Sequence, residues 1–118
     1  MSNERQSLGR IEVAPAAIAS IANYAVRQCY GVVGMANKNL VDGIANLLSK
    51  DSRQGIEIKI TDQEIVVDVY VVVEYGMRIS AVANSIKNTV NFHVEQVLGF
   101  PVQAVNVYVQ GLRFSESD

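Results

Sequence analysis

The sequence predicts an α+β fold in which two main helices pack on one face of a mostly antiparallel sheet. Two runs that alternate apolar and polar residues, joined by the hairpin-like "TDQE", predict adjacent antiparallel strands. Two stretches with apolar residues at helical spacing, one before and one after this hairpin, predict the helices. The resulting element order is β-α-(β)-α-β-β-α-β.

The first half of the chain supplies a strand, a helix and two shorter elements. "LGRIEVA" alternates, with Ile11 and Val13 on one face, and predicts a short strand. Pro15 opens a helix with a stripe of small and apolar side chains, and Gly31 stops it. "GVVGMA" predicts a short strand, and "NLVDGIANLLSK" predicts a short amphipathic helix.

The hairpin carries the clearest pattern. "GIEIKITD" and "EIVVDVYVVVEYG" alternate with a period of two and are rich in β-branched residues. In the longer run, one face is predicted to meet the helices: Ile65, Val67, Val69, Val71, Val73 and Tyr75. Gly76 then allows a turn, with a positive φ as one way to make it.

A helix of about five turns and a last strand follow. The helix begins near Ile79, and Gly99 and Pro101 end it. In "VQAVNVYVQGLRF" the inward positions are Val105, Val107 and Val109. The alternation slips by one residue at Gly111, which predicts a β-bulge.

Length and composition limit the possible domain organisation and the class of protein. The 118 residues fit a single domain over residues 8–114, with a disordered lead-in at 1–7 and a frayed tail at 115–118. The net charge of −2 and the scattered Lys and Arg residues argue against a nucleic-acid binder. One cysteine, no signal-peptide pattern and no apolar run of about 20 residues predict a cytoplasmic protein without direct membrane insertion.

The residues that could carry chemistry do not form a constellation. His93 and Cys29 fall on apolar helical stripes, which favours packing over catalysis or metal binding. Asp68 and Glu74 share a strand face but are ~20 Å apart, too far for a shared site. "GVVG" matches the G-x-x-G loop of KH-type RNA-binding domains, but its apolar centre makes a chance match the favoured interpretation. The sequence therefore predicts no catalytic residue, no metal and no cofactor.

The second face of the sheet is the feature that points to function. A fully solvated face would not need its apolar and tyrosine residues, and a mixed patch of this kind is typical of a protein-interaction surface. Two interpretations stay open: the patch pairs with a partner or a second copy, or residues 35–55 fold over it. Phe92, off the stripe of its helix, is a further contact candidate. The predicted interaction residues are Val66, Tyr70, Val72, Glu74, Tyr108 and Phe92.

Three ordered blocks resemble one family. They are "GRIEVAPAAIASIANYAVRQCYGVVGM", "VDVYVVVEYGMRISAVANSIKNTV" and "VNVYVQGLRF", and together they span roughly residues 8–114. Each resembles the corresponding block of the alkaline shock proteins, the cell-envelope stress proteins of Gram-positive bacteria. Residues 35–55 match no pattern of that family, and Ser80 stands where the family usually has proline. Serine suits a helix start, so the expected fold is unchanged.

The resemblance implies a non-enzymatic cytoplasmic interaction or scaffold protein in envelope stress response and homeostasis. Some members are tethered at the membrane through a separate anchor protein and form assemblies, which here implies a membrane anchor partner or a homo-oligomer. Others resemble accessory partners of lipid-metabolism enzymes, so a regulatory subunit of such an enzyme is the alternative. The family supplies no catalytic residues to carry over.

Overall fold

A computed structural model of the chain describes residues 12–36, 55–61 and 64–114. These residues form two helices and four strands. In chain order the elements are α1 (Pro15–Arg27), β1 (Val32–Met35), β2 (Ile56–Thr61), β3 (Glu64–Glu74), α2 (Ile79–Leu98) and β4 (Ala104–Arg113).

Strand β3 is the centre of the sheet and pairs with all three other strands. β2 runs antiparallel to it from Ile56 opposite Val69 to Thr61 opposite Glu64, which confirms the predicted hairpin. β1 pairs antiparallel with the last part of β3, where Met35 lies opposite Val71. Because β1 and β2 pair with successive segments of β3, they lie end to end along one edge of it.

β4 occupies the other edge of β3 and runs parallel to it. This direction follows from the connection, since the chain leaves β3, crosses through α2 and re-enters the sheet, the usual route to a parallel pair. Two of the three strand pairs are antiparallel, so the predicted mostly antiparallel sheet is confirmed. The predicted bulge is also present: Val71 pairs with Val109 and Val72 with Gly111, which leaves Gln110 as the extra residue.

The hydrophobic core lies between the helices and one face of the sheet. Every second residue of β3 is buried on that face, as its period-two pattern predicts. The residues that meet from the two layers include Ile18, Ala22, Ala25, Val26, Val67, Val69, Val71, Val73, Val82, Ile86, Val90 and Val94. The two helices therefore cover one face, and the α+β class is confirmed.

Proline and glycine mark the start of α1 and the end of α2, as the sequence predicts. Pro15 stands in the first turn of α1. Gly99 caps α2 in a left-handed conformation with φ of 90°. Ile79 and Val97 share the helical spacing that predicts the apolar stripe of α2, but they are 43% and 62% exposed. They lie at the two ends of the helix.

Several predictions fall wholly or partly outside the described residues. These are the lead-in at 1–7, the first part of the strand at 8–14, the helix at 39–50 and the tail at 115–118. Residues 12–14, the described end of the predicted first strand, are neither strand nor helix, and Val13 is 40% exposed. Pro15 follows them directly and starts the helix there.

Candidate interaction surfaces

The outer face of the sheet, opposite the helices, is defined by the alternate residues of β3 and their neighbours on β2 and β4. Of the predicted contact residues, Tyr70 is buried, Val66 and Val72 are half-buried, and Tyr108 is 43% exposed. The structure thus places these four residues on one face, together with Glu74, which belongs to the same alternation of β3. A partner could reach Tyr108 there but not the ring of Tyr70, and that this face binds one stays a prediction.

Tyr70 and Tyr108 form one unit of that face. The parallel register sets them directly opposite each other, and their rings stack with centroids 4.8 Å apart and planes inclined by 16°. Stacked aromatic pairs add stability beyond the area they bury. Their first role is therefore to join β3 to β4.

A polar network stands beside this pair. Asp68 is 1% exposed, and its carboxylate lies 3.0 Å from the ammonium of Lys59 and accepts a hydrogen bond of 2.9 Å from the amide of Asn106. All three residues meet because Asp68 pairs with Asn106 and lies diagonal to Lys59. The hydrogen bond and the charge of Asp68 raise the pKa of Lys59 above its usual 10.5. The network joins three strands.

Glu74 has a partner that the sequence did not indicate. The side chain of Arg113 lies 3.4 Å from its carboxylate, and Glu74 pairs in register with Arg113 across the end of the sheet. The bulge at Gln110 makes this possible, because it returns Arg113 to the face that Glu74 occupies. The ion pair gives Glu74 a structural role at the strand ends.

Phe92 lies apart from the outer face, in the helical layer. Its ring is 57% exposed and packs edge-to-face against His93, with centroids 5.4 Å apart. His93 in turn packs edge-to-face against Tyr24 of α1 at 5.7 Å. His93 is therefore a half-buried packing residue between the helices, as the pattern favoured. Phe92 and the outer-face residues do not form one surface.

An aromatic end patch, missed by the sequence reasoning, lies where β3 and β4 end. Tyr75 is 58% exposed and Phe114 63%, and their rings stack at 4.2 Å. Leu112, 41% exposed, lies in β4 just before Arg113 and Phe114. Tyr30, 78% exposed, precedes Gly31, whose carbonyl accepts a backbone hydrogen bond from Glu74. These four residues define the patch.

The sequence did not indicate the end patch because its alternation predicts an inward position for Tyr75. Tyr75 has the parity of the core residues, but it follows the last residue of β3 and its ring is exposed. Phe114 joins it only because the bulge shifts the alternation of β4 by one residue. The signal available in the sequence was the pair of aromatics that directly follow "VVVE" and "QGLR".

An apolar groove of about 1020 Å³ opens at the opposite end of the sheet. The start of α1, the end of α2 and the β2–β3 hairpin line it, with Ile18, Ile60, Leu98 and Phe100 among the lining residues. Residues 1–11, outside the described ranges, join the chain at its edge, at Glu12.

The potential metal ligands and the single cysteine of residues 12–36, 55–61 and 64–114 form no metal-binding group. Over those ranges no three His, Cys, Asp or Glu side chains are grouped so as to hold a metal ion. Cys29 is 7% exposed, and its thiol donates to the carbonyl of Ala25 at 3.6 Å, an arrangement suited to packing. Neither described helix is both long and apolar enough to cross a bilayer.

Comparison with known proteins identifies the family of the chain. Residues 3–114 match the model of the alkaline shock protein 23 family, which is described as having a cell envelope-related function. The chain belongs to this family. A Bacillus subtilis member, the uncharacterized protein YloU, is 39% identical over 111 residues, which is 92% of each chain. An uncharacterized Streptococcus pyogenes member is 40% identical over 107 residues, covering 89% of this chain and 88% of its own.

A second Bacillus subtilis member of this set, the uncharacterized protein YqhY, is 29% identical over 115 residues, which is 97% of this chain and 84% of its own. No solved structure matches the chain. Membership in the alkaline shock protein 23 family confirms the resemblance drawn from the three sequence blocks and assigns a cell envelope-related function at the level of the family.

Proposed function

We propose that this member of the alkaline shock protein 23 family is a non-enzymatic interaction and scaffold protein. It acts in the cytoplasm, in cell-envelope stress response and homeostasis, and it binds a partner protein through the aromatic end patch. The observation that carries the proposal is the stacked pair of Tyr75 and Phe114, both more than half exposed at the tip of the sheet.

The end patch has the composition of an interaction centre. Aromatic side chains contribute much of the energy at protein interfaces, because each brings a large rigid surface that loses little conformational freedom. The rings of Tyr75 and Phe114 already hold each other in place, which lowers the cost of ordering them on binding. Glu74 and Arg113, the residues that directly precede Tyr75 and Phe114 in the chain, form an ion pair that holds the two strand ends together.

The proposed partner is a membrane anchor protein, which would bring this chain to the envelope. A regulatory role on a soluble lipid-metabolism enzyme is the alternative, and assembly with further copies of the chain is compatible with either. The identity of the captured protein separates the two functions.

The test is affinity capture of the full chain from its own cells, with the unmodified protein and with Phe114→Ser. We expect an envelope-anchored membrane protein with the unmodified chain, and a loss of affinity of about 30-fold with the variant, since an interface aromatic often contributes about 2 kcal/mol. Phe92→Ser is the matched control, because Phe92 is similarly exposed but lies in the helical layer.

Three outcomes would count against the proposal. Capture of a soluble lipid-synthesis enzyme in place of the membrane protein would favour the accessory-subunit function. Equal capture by Phe114→Ser and the unmodified chain would exclude the end patch. Turnover of a metabolite by the purified chain alone would exclude a non-enzymatic role.

A further inference from the structure

The free edge of β4 is a second feature with the properties of a binding site. The direction of its backbone groups follows from β3. The N–H groups of Tyr70 and Glu74 donate to Gly55 and Gly31, on the side of β1 and β2. The odd-numbered residues of β3 alternate with these and therefore direct their backbone groups towards β4. The hydrogen bond from the N–H of Tyr75, just after the strand, to the carbonyl of Arg113 illustrates this direction.

The parallel register then identifies the outward groups of β4. Val67 lies opposite Val105, and in a parallel ladder a residue bonds to the two neighbours of the residue opposite it. Asn106 therefore bonds back to β3, whereas Val105, Val107 and Val109 direct their N–H and C=O groups to the outer edge. Among the described strands, only β3 pairs with β4.

This edge lacks the usual protection against pairing. Natural edge strands commonly carry charges or proline where another strand could add. Residues 104–109, "AVNVYV", hold neither. The bulge that interrupts the strand comes only after them, at Gln110.

A groove of about 370 Å³ runs between this edge and α2. On the strand side, the groove is lined by Val105, Asn106, Val107 and Tyr108. Consecutive strand residues point to opposite faces of the sheet, so this set includes residues of both faces. The wall is therefore the backbone edge itself and not one face of the sheet. The opposite wall consists of Ser80, Ala83, Asn84 and Lys87.

The helix wall is polar and positive. Lys87 is exposed and makes no ion pair with any described residue, and Ser80 and Asn84 offer uncharged hydrogen-bonding groups. One turn further along this stripe, the side-chain oxygen of Asn91 is buried and accepts no hydrogen bond within the described ranges. Within the described ranges, the groove thus combines an open backbone ladder with a cation that has no ion-pair partner.

We propose that the outer edge of β4 binds an extended acidic segment of a partner protein, which adds as a strand to the sheet and sets a carboxylate against Lys87. A second copy of β4 fits less well, since Ala104–Arg113 contains no Asp or Glu and ends in Arg113. This surface is separate from the aromatic end patch, so the inference goes beyond the proposed function.

The test uses a displayed library of random eight-residue peptides selected on the full-length chain. We expect enrichment of peptides in which β-branched residues alternate with Asp or Glu. A synthetic copy of the most enriched peptide should slow amide hydrogen exchange at Val105, Val107 and Val109. Lys87→Glu should weaken its binding about fivefold to tenfold, since reversing one exposed charge removes an attraction and adds a repulsion.

Two control variants distinguish the effect of the charge at position 87 from a general effect on folding. Lys87→Arg should retain binding, and so should Gln96→Glu, which adds a negative charge on the far side of α2. Three results would overturn the inference: no enrichment of extended acidic peptides, equal affinity for Lys87→Glu, or exchange protection away from β4. Because Phe114→Ser leaves the groove intact, peptide binding by that variant distinguishes this site from the end patch.

Discussion

At the scale of single residues, Asp68 is a buried carboxylate in the middle of the central strand. It is held by a lysine on one neighbouring strand and an asparagine on the other. The alternation of β3 placed Asp68 correctly on the face opposite the helices, where a charged residue is ordinarily expected to be solvated. Sequence reasoning could not supply the burial, because register between strands decides which neighbours a side chain meets.

The raised pKa of Lys59 gives this network a pH dependence. A pKa that is higher in the folded state than in the unfolded state stabilises the fold fully below the usual value of 10.5, and the effect disappears as pH rises through the folded-state pKa. We expect the urea unfolding midpoint to fall more between about pH 9 and about pH 11.5 in the unmodified chain than in Lys59→Met. Parallel curves for the two proteins would show that Lys59 does not stabilise Asp68.

Glycine substitutions test two kinds of backbone constraint. Gly76 has φ of 104° with open space around it, so Gly76→Ala should cost about 1–2 kcal/mol of unfolding free energy from backbone strain alone. Gly31 has φ of 92°, and an added Cβ would lie 2.9 Å from Val82, so Gly31→Ala should cost about 1–3 kcal/mol more. Gly34→Ala, with nothing within 4 Å and no positive φ, is the control.

The ranking is measured by urea denaturation followed by circular dichroism. We expect Gly34→Ala to be nearly neutral, Gly76→Ala intermediate and Gly31→Ala the least stable. Equal stability of the Gly31 and Gly76 variants would contradict the close approach of Val82.

At the scale of elements, the sequence predicted the strands and helices well where one period is maintained over many residues. The long alternation of β3 and the helical spacing of α2 fixed both type and extent, since tertiary packing agrees with the local pattern there. The parallel direction of β4 and its pairing with β3 follow from the crossover through α2, which no local pattern specifies. The end patch was missed for the same reason, because it forms where two strands end together.

The bulge in β4 is the element on which the end patch depends. Deletion of Gln110 would restore a regular ladder and turn Arg113 and Phe114 to the opposite faces. We expect the contact between Tyr75 and Phe114 to disappear and the unfolding free energy to fall by about 1–3 kcal/mol. The measurement is the nuclear Overhauser effect between the two rings. Gln110→Ala retains the residue count and should retain that contact; if the deletion retains it too, the bulge does not position Phe114.

At the scale of the whole molecule, the described residues form a two-layer domain whose exposed aromatic groups lie at separate places. The end patch lies at the tip of the sheet, Phe92 and Tyr24 lie in the helical layer, and Tyr108 lies on the outer face. Separate contact surfaces on a small domain are what a scaffold requires, since two partners can then bind without competing. This arrangement suits the interaction role that we propose, and the family itself has a cell envelope-related function.

Site-specific photo-cross-linking in living cells tests the binding role of the end patch most directly. A photoreactive phenylalanine analogue at position 114 is compared with the same analogue at position 92. We predict that position 114 gives one discrete cross-linked product with a protein of the envelope fraction, and that position 92 does not give that product. No product at position 114, or the same product from both positions, would contradict binding through the aromatic end patch.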